Sequence, residues 1–317
     1  MTGRYGTIGE VFYVEGDYWP LNTTLYVKDF KGNSPLFISH LLKTVDFASH
    51  SGKSGVPGVN RNDLHELEIS LPPLAEQNAI ASALSDMDAL LAKLDQLIAK
   101  KRDIKQAAMQ EFFEKPAKNW TSRKLADISA FITKGSTPTT YGFNWETSGI
   151  LFLRSECVSD AGIDLTQSMH ISSEAHAVLK RSEVLQGDLL MTITGNVGRV
   201  IQATPECDGS NINQHIARIR INDPQINSRF VYHYFSQRRV RKDLEKITTG
   251  QAYPQLSLAQ VRACKIPMPD LPEQNRIAGV LSDIDTEITA LEARREKTRL
   301  IKQGMMQELL SGRVRLI

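Results

Sequence analysis

The side chains that most often perform catalysis or bind metals are widely dispersed in this sequence. The seven histidines include no i,i+4 pair and no neighbour of a cysteine, and the three cysteines (Cys157, Cys207 and Cys264) form no CxxC pair. Zinc sites and disulfide frameworks need such ligands at short, regular spacings. The sequence therefore predicts neither a metal site nor a disulfide framework, and its cysteine usage is typical of a reduced, cytoplasmic protein.

Motifs for nucleophilic or phosphate chemistry are also missing. Residues 51–54 (Ser-Gly-Lys-Ser) resemble the end of a phosphate-binding loop, but Phe47 stands where that motif needs its first glycine. The sequence contains no GxSxG, no HExxH and no Asn/Asp-Pro-Pro-Tyr/Phe motif. This pattern favours a binding protein. The alternative is a nuclease or methyltransferase with an unrecognised motif.

An internal repeat indicates which elements position the rest of the chain. Residues 69–113 align without a gap with residues 266–310, and 21 of the 45 positions are identical. Each copy follows a proline-bearing approach and then has no proline over at least 40 residues, with glycine only at Gly279 and Gly304 of the second copy, which predicts a long helix. At 1.5 Å per residue, a helix of about 38 residues would be roughly 57 Å long.

The apolar residues of each copy follow the spacing of a coiled-coil seam. Two matched seams are expected to pack on each other, and the alternative is two helices lying on separate cores. The predicted seam residues are Ile80, Leu84, Met87, Leu91 and Leu94 in the first copy and Ile277, Leu281, Ile284, Ile288 and Leu291 in the second.

The segments outside the repeat predict globular domains. Residues 120–265 contain short apolar runs broken by Gly, Pro, Asn and Ser, which predicts a mainly β or mixed α/β globule with one helix near residues 228–246. Residues 1–68 resemble only the second half of that segment, so the first globule is expected to lack about 70 N-terminal residues and to be poorly stable alone. The predicted domains are residues 1–68, 69–115, 116–265 and 266–317.

The composition is that of an ordinary globular protein. The 317 residues are 41% hydrophobic and 23% charged, with a net charge of +2. Near-neutral charge means that any nucleic-acid surface must be local. No apolar run is long enough to span a membrane, and the N-terminus does not resemble a signal peptide.

The repeated helices carry a family resemblance. The chain resembles the specificity subunit of type I restriction–modification enzymes, and residues 134–138 (Lys-Gly-Ser-Thr-Pro) match the start of one of its target-recognition domains. The matching helix residues are Leu74, Glu76, Gln77, Ile80, Ala81, Leu84, Asp86 and Asp88, and Leu271, Glu273, Gln274, Ile277, Ala278, Leu281, Asp283 and Asp285.

This resemblance implies a fold and a function. The expected fold class is α/β (α+β), with β-rich target-recognition domains alternating with two long helices packed as an antiparallel coiled coil. The expected function is non-catalytic recognition of double-stranded DNA at a bipartite site. Modification subunits would bind S-adenosylmethionine and methylate adenine. Restriction subunits would use ATP and Mg²⁺ and would cut the DNA.

The shortened first domain leaves alternatives open. The chain could be an inactive or silent gene product in which only the coiled coil is retained, or two copies could associate to present two intact domains. The helix surfaces around Lys105-Gln106 and Lys302-Gln303 are candidates for contact with modification subunits.

Candidate DNA contacts are chosen by side-chain type, since Arg reads guanine, Asn and Gln read adenine, and Lys, Ser and Thr hold phosphates. Each candidate has a structural alternative, namely a solvated turn, a hairpin turn, a capped strand start or a solvated helix face. The loop candidates are Lys134, Ser136, Thr137, Arg154, Asn196, Arg199, Asn213, Gln214, Gln251, Tyr253 and Gln255, and the helical ones are Arg238, Arg239, Arg241 and Lys242.

Overall fold

The computed structural model describes residues 1–5, 7–50, 58–114, 119–250 and 253–316. The chain divides into two compact units. The first comprises Met1–Lys100 with Ile288–Ile317, and the second comprises Lys101–Glu287. Both long helices contribute residues to both units. Within the described ranges, no helix has the length and apolar character that crossing a membrane requires.

The first unit contains short elements before the first long helix. Two very short strands pair in antiparallel fashion, and two helices precede the proline pair at residues 72–73. The elements in chain order are β1 (Thr2–Gly3), β2 (Thr24–Leu25), α1 (Pro35–Leu42), α2 (Arg61–His65) and α3 (Leu74–Glu114), the last of which continues into the second unit.

The second unit is a mixed α/β globule. Its elements are β3 (Thr121–Lys124), α4 (Leu125–Ile128), β4 (Ser129–Lys134), β5 (Ile150–Leu153), β6 (Val158–Ser159), β7 (Gly162–Ile163), β8 (Met169–Ile171), α5 (Ser173–Val178), β9 (Leu189–Thr192), β10 (Val200–Gln202), β11 (Asn211–Ile212), β12 (Ile216–Ile221), α6 (Ser228–Phe235), α7 (Arg238–Lys246), α8 (Leu258–Ala263), β13 (Lys265–Met268) and α9 (Leu271–Leu309).

A four-stranded antiparallel sheet organises the second unit. Its strand order is β10-β9-β12-β4, and a second sheet has the order β11-β5-β8 with β11 parallel to β5. Alternate residues of β12 point to opposite faces. Ala217 and Ile219 therefore enter the main core with Phe230 of α6 and Ile277 of α9, while Ile216 packs with Leu153 in a second core.

The two long helices pack against each other in antiparallel fashion. In the first unit Asp88 pairs with Lys302 and Asp95 with Arg295. In the second unit, Lys101 pairs with Glu287 and Lys105 with Asp285. As the residue numbers of these pairs rise along α3, those of their partners in α9 fall, so the two helices run in opposite directions. All ten predicted seam residues are buried or half-buried.

The single helix predicted near residues 228–246 is wrong, because the structure has two helices there. α6 ends at Phe235, and the backbone of Gln237 is extended before α7 begins. The buried Gln237 donates to the carbonyl of Tyr234 from both its side-chain Nε2 and its backbone N–H at the end of α6. The break allows both Phe235 and Val240 to enter the main core.

Candidate nucleic-acid interface

Most of the predicted DNA contacts gather at one edge of the four-stranded sheet. Ile216 at the start of β12 pairs with Thr192 at the end of β9, and Ala217 pairs with Lys134 at the end of β4. Antiparallel neighbours alternate in direction, so these loops emerge on the same side. We call this the edge-loop surface, and it consists of residues 134–137, 193–199, 213–215 and 253–256.

The first part of the edge-loop surface joins the β4 end to the β12 start. Thr137 Oγ1 donates to Gln214 Oε1 over 2.7 Å, and Lys134 and Ser136 are half-buried beside it. A Cβ on Gly135 would lie 1.6 Å from the Ile212 carbonyl oxygen. Only glycine therefore allows this loop to approach β11 so closely. Lysine, serine and threonine at this position are suited to holding phosphates.

Asn213 has a local role in the turn before β12. Its side chain is 7% exposed, and Oδ1 accepts the backbone N–H of His215 at 3.0 Å. Its backbone N–H donates to the carbonyl of Leu153. This geometry corresponds to the capping alternative for Asn213. The neighbouring Gln214 remains half-exposed, with its amide nitrogen 3.1 Å from His215 Nε2.

The β9–β10 loop forms the centre of the edge-loop surface. It is a hairpin connection, since β9 and β10 pair in antiparallel fashion. Gly195 and Gly198 both have positive φ, and Asn196 between them is exposed. Arg199 follows immediately before β10. The hairpin alternative and DNA contact are compatible here, because the turn presents Asn196 outward while the glycines fix its path.

Residues 253–256 lie against this hairpin through backbone hydrogen bonds. Gly195 N donates to the Pro254 carbonyl at 3.1 Å, and Leu256 N donates to the Ile193 carbonyl at 2.8 Å. The result is one continuous loop surface built from segments about 60 positions apart in sequence.

This last loop offers an aromatic and an amide side chain. Tyr253 is 62% exposed, and Gln255 is exposed while its backbone pairs with Thr249. An exposed ring and an amide are the groups that stack on bases and read adenine. Gln251, another predicted contact, lies outside the described residues.

The predicted cations of α7 line a cleft next to the hairpin. The cleft has a volume of about 620 Å³, and Arg199, Arg238, Arg241 and Lys242 contribute to it. Arg239 is exposed on the same helix but does not line the cleft. α7 is held in place because Val240 and Leu244 are buried in the main core. The edge-loop surface and this basic cleft are continuous through Arg199.

Two cations of the basic cleft were not predicted as DNA contacts. Arg102 and Lys105 of α3 also line it, and Lys105 pairs with Asp285 at 2.6 Å. Their three-residue spacing places them on one helix face. The repeat carries the same pair at Arg299 and Lys302. The position of α7 beside them depends on the tertiary fold, so the sequence alone gave no direct signal.

A buried ion cluster fixes the strands that carry these loops. Asp188 accepts two hydrogen bonds from Arg220, at 2.6 and 2.7 Å, and the Arg218 guanidinium lies 4.5 Å from the Phe131 ring centre. Burial lowers the pKa of Arg218 to about 10, although the Asp188 charge opposes this shift. The hydrogen bonds that Arg220 donates to Asp188 raise the pKa of Arg220. The cluster links β12, β4 and the segment before β9.

Arg154 is the predicted contact whose side chain is most fully engaged elsewhere. Its Nε and Nη2 atoms donate to the Gln167 carbonyl at 3.1 and 2.9 Å. It follows β5 of the second sheet, and no loop of the edge-loop surface carries it. The Arg154 side chain therefore links the end of β5 to the turn before β8.

Comparison with known proteins identifies related sequences. The family model for the type I restriction modification DNA specificity domain matches residues 1–101 and 117–300. A relative in Methanocaldococcus jannaschii, named as the MjaX specificity subunit of a type I restriction enzyme, is 26% identical over 275 residues. The match covers 81% of this chain and 62% of the relative.

Further relatives agree with this match. The MjaVIII specificity subunit of the same organism is 25% identical over 308 residues, covering 89% of this chain and 70% of the relative. The EcoBI specificity subunit of Escherichia coli is 28% identical over 251 residues, covering 70% and 52%. The chain thus spans between half and about 70% of the length of these three relatives.

Solved structures show the same fold. The S subunit of a type I restriction–modification system from M. genitalium superposes with a TM-score of 0.60 at 17% identity, covering 87% of this chain and 72% of that one. A chain from a type I system solved for its complex assembly and conformational transition gives 0.56 at 21% identity, covering 89% and 72%. The predicted fold class of mixed α/β globules with two long helices is confirmed.

Proposed function

The chain belongs to the type I restriction–modification DNA specificity family, and from this premise we propose that it is the DNA-reading subunit of such a complex. It directs adenine methylation and restriction by partner subunits at a bipartite site and performs no catalysis itself. Its partners are double-stranded DNA, modification subunits and, through the complex, restriction subunits. S-adenosylmethionine, ATP and Mg²⁺ belong to those partners.

The observation that carries this proposal is the convergence on the edge-loop surface. Segments around residues 135, 195, 214 and 254 place amide, hydroxyl and aromatic side chains together at one sheet edge. The basic cleft continues this surface with arginines and lysines. Base-reading groups beside phosphate-holding groups are what duplex recognition requires.

Residues 116–265 are proposed as one target-recognition domain and residues 1–68 as part of another. Residues 69–115 and 266–317 are proposed as the spacer helices on which modification subunits dock. A stiff helical spacer suits a bipartite site, because half-sites one DNA turn apart are separated by about 34–36 Å.

Mapping of methylated adenines tests the proposal as a whole. The chain is co-expressed with its modification subunit in a host without other adenine methylation, and every methylated position is sequenced. One bipartite motif is expected. A palindromic motif would indicate that two copies of residues 116–265 read the site through self-association. No motif from a stable complex would overturn the DNA-reading function.

A pair of variants tests the proposed surface. Arg238→Ala with Lys242→Ala removes two cations of the basic cleft, and Arg239→Ala with Lys246→Ala removes two exposed cations from the same helix outside it. Each lost phosphate contact lowers the salt slope of binding by about 1. The first pair should weaken binding and flatten the slope. If both pairs of substitutions weaken binding equally, the cleft is not part of the DNA interface.

A further inference from the structure

We propose that Asp160 occupies a DNA-phosphate position in the basic cleft and that binding of the duplex displaces its carboxylate from Arg199 and Arg241. This inference rests on the proposed function and adds an internal competitor to the same surface. A carboxylate at this position lowers the affinity for phosphates at every DNA sequence alike.

The carboxylate of Asp160 lies between two arginines. Arg241 Nη1 donates to both oxygens, at 2.9 and 3.1 Å, and Arg199 Nε lies 3.7 Å from Oδ2. The Asp160 side chain is 69% exposed, whereas those of Arg199 and Arg241 are 26% and 24% exposed. The arginines are therefore the fixed partners, and the aspartate can return to water at little cost.

The backbone holds both arginines in place independently of Asp160. Gly198 has φ +81°, and a Cβ there would lie 3.2 Å from Arg241 Cγ. The hairpin can approach α7 this closely because it has glycine at that position. Asp160 itself sits in the tight β6–β7 turn, where Ser159 Oγ donates to the Gly162 carbonyl at 2.9 Å. The turn presents the carboxylate from a different element.

The two guanidinium groups retain unused hydrogen-bonding capacity. The Nε atoms of Arg199 and Arg241 are buried and form no hydrogen bond with any described residue. Arg241 Nε lies 3.4 Å from a Glu245 oxygen without hydrogen-bond geometry. A phosphodiester brings two non-bridging oxygens and one negative charge, as a carboxylate does, and both are bidentate partners of arginine. It can therefore take over the bonds that Asp160 makes.

The charge balance of the cleft favours this exchange. Among its described lining residues, six cationic side chains face two carboxylates, Asp160 and Glu245. A phosphate that replaces Asp160 keeps one negative charge between the arginines. The exchange therefore adjusts affinity by a modest factor and does not block binding.

The test measures DNA affinity of Asp160→Asn in the complex with the modification subunit. The probes are a duplex carrying the mapped motif and a duplex of scrambled sequence. We expect about three- to fivefold tighter binding to both, since exposed ion pairs have effects of this size. The salt slope should stay nearly unchanged, because the duplex makes the same phosphate contact in both proteins once the carboxylate has been displaced. The specificity ratio should stay unchanged.

Two controls make the result specific. Asp243→Asn removes an equal charge from an exposed carboxylate of α7 that pairs with Lys246, away from Arg199 and Arg241. It should change affinity less. Asp160→Asn in an Arg241→Ala background should give a smaller gain, because only Arg199 then remains beside the carboxylate.

Opposite outcomes overturn the inference. Unchanged or weaker binding by Asp160→Asn, with unchanged thermal unfolding, would show that Asp160 does not compete with phosphate. Equal gains in DNA affinity from Asp160→Asn and Asp243→Asn would show that the effect comes from net charge alone. A wild-type complex that yields no methylation motif refutes the proposed function itself, and that result is obtained before any variant is measured.

Discussion

The two units anchor a short helix to a long one in the same way, yet they surround it with unequal cores. In the first unit Gln77 Oε1 accepts the backbone N–H of Ser34, and in the second unit Gln274 Oε1 accepts that of Asn227, each at 2.9 Å. The donors, Ser34 and Asn227, lie at the starts of α1 and α6. The two glutamines occupy equivalent positions of the repeat.

A second repeated contact lies about two helical turns further along each long helix. His40 of α1 approaches Ser85 Oγ at 3.5 Å, and His233 of α6 approaches Ser282 Oγ at 3.1 Å. Both histidines are buried. The long helix of each unit thus supplies the same two side chains, a glutamine and a serine, to a short helix.

The cores differ in what surrounds the attachment. In the first unit, the described hydrophobic cluster around Phe37 and Leu41 is formed by residues of α1, of α3 and of the C-terminal end of α9, and residues 1–26 expose Trp19 at 93% and Leu21 at 68%. In the second unit the main core combines Leu125 of one half of the globule with Phe230 of the other. The two units therefore differ because, in the second unit, another half of the globule also covers the short helix.

The largest expected effect concerns the ion cluster of the second unit. Asp188→Asn removes the charge that compensates the buried Arg218 and the half-buried Arg220. Breaking such a cluster by removing one partner costs about 3–5 kcal/mol. Urea unfolding followed by hydrogen exchange should show this loss in the second unit alone. Asp208→Asn, at an exposed carboxylate that accepts the Gln186 N–H, is the control and should cost far less.

The next prediction tests whether the two attachments are equivalent. Gln77→Ala and Gln274→Ala each remove three hydrogen bonds of a buried amide. Buried groups left without partners cost about 1–3 kcal/mol. Hydrogen exchange should show faster opening of α1 in the first variant and of α6 in the second. If only Gln274→Ala speeds up hydrogen exchange, the glutamine contact stabilises the short helix only where the larger core surrounds it.

The helix pair was predictable because its signals are local. Residues such as Ile80, Leu84 and Leu94 recur at the period of a helix seam, so no knowledge of distant contacts is needed. The repeat doubled that signal. The family resemblance implied the antiparallel direction, whereas the ion pair between Lys105 and Asp285 followed only from the structure.

The candidate interface was less predictable because it depends on strand order. Thr137 and Gln214 meet only because β4 lies next to β12, which is not its neighbour in sequence. The break at Gln237 likewise depends on a bond to Tyr234 and on burial against the sheet. Side-chain types indicated candidates, while long-range pairing decided which of them gather.

Acid should distinguish the two histidine contacts. Burial lowers the pKa of His233 to about 3, and Lys105 and Arg229 add to the shift. Burial also lowers the pKa of His40, but nearby Asp88 opposes this. A depressed pKa means that the stabilisation is complete above the ordinary value of 6.5 and is lost as the pH falls below it.

Between pH 6.5 and pH 5 the second unit should therefore lose about 2 kcal/mol of its free energy of unfolding through His233. His233→Gln, which cannot titrate, should remove most of this pH dependence. His40→Gln should have a smaller effect on that of the first unit. An unchanged pH profile in His233→Gln would show that this histidine is not held neutral.

The smallest expected effect concerns the ion pairs that join the long helices. Lys105 with Asp285 and Lys302 with Asp88 are equivalent positions of the repeat with their partners exchanged between the helices. Both carboxylates are about a third or more exposed, so water and salt screen the attraction. Lys105→Met and Lys302→Met should each cost less than about 1 kcal/mol, and the cost should vanish in 1 M salt, where the Debye length is about 3 Å.

Equal, salt-sensitive losses in unfolding experiments would show that the helix pair is electrostatically symmetric although the cores around it are not. A larger, salt-independent loss for Lys105 would instead show that its ammonium makes a contact with Asp285 that salt does not screen.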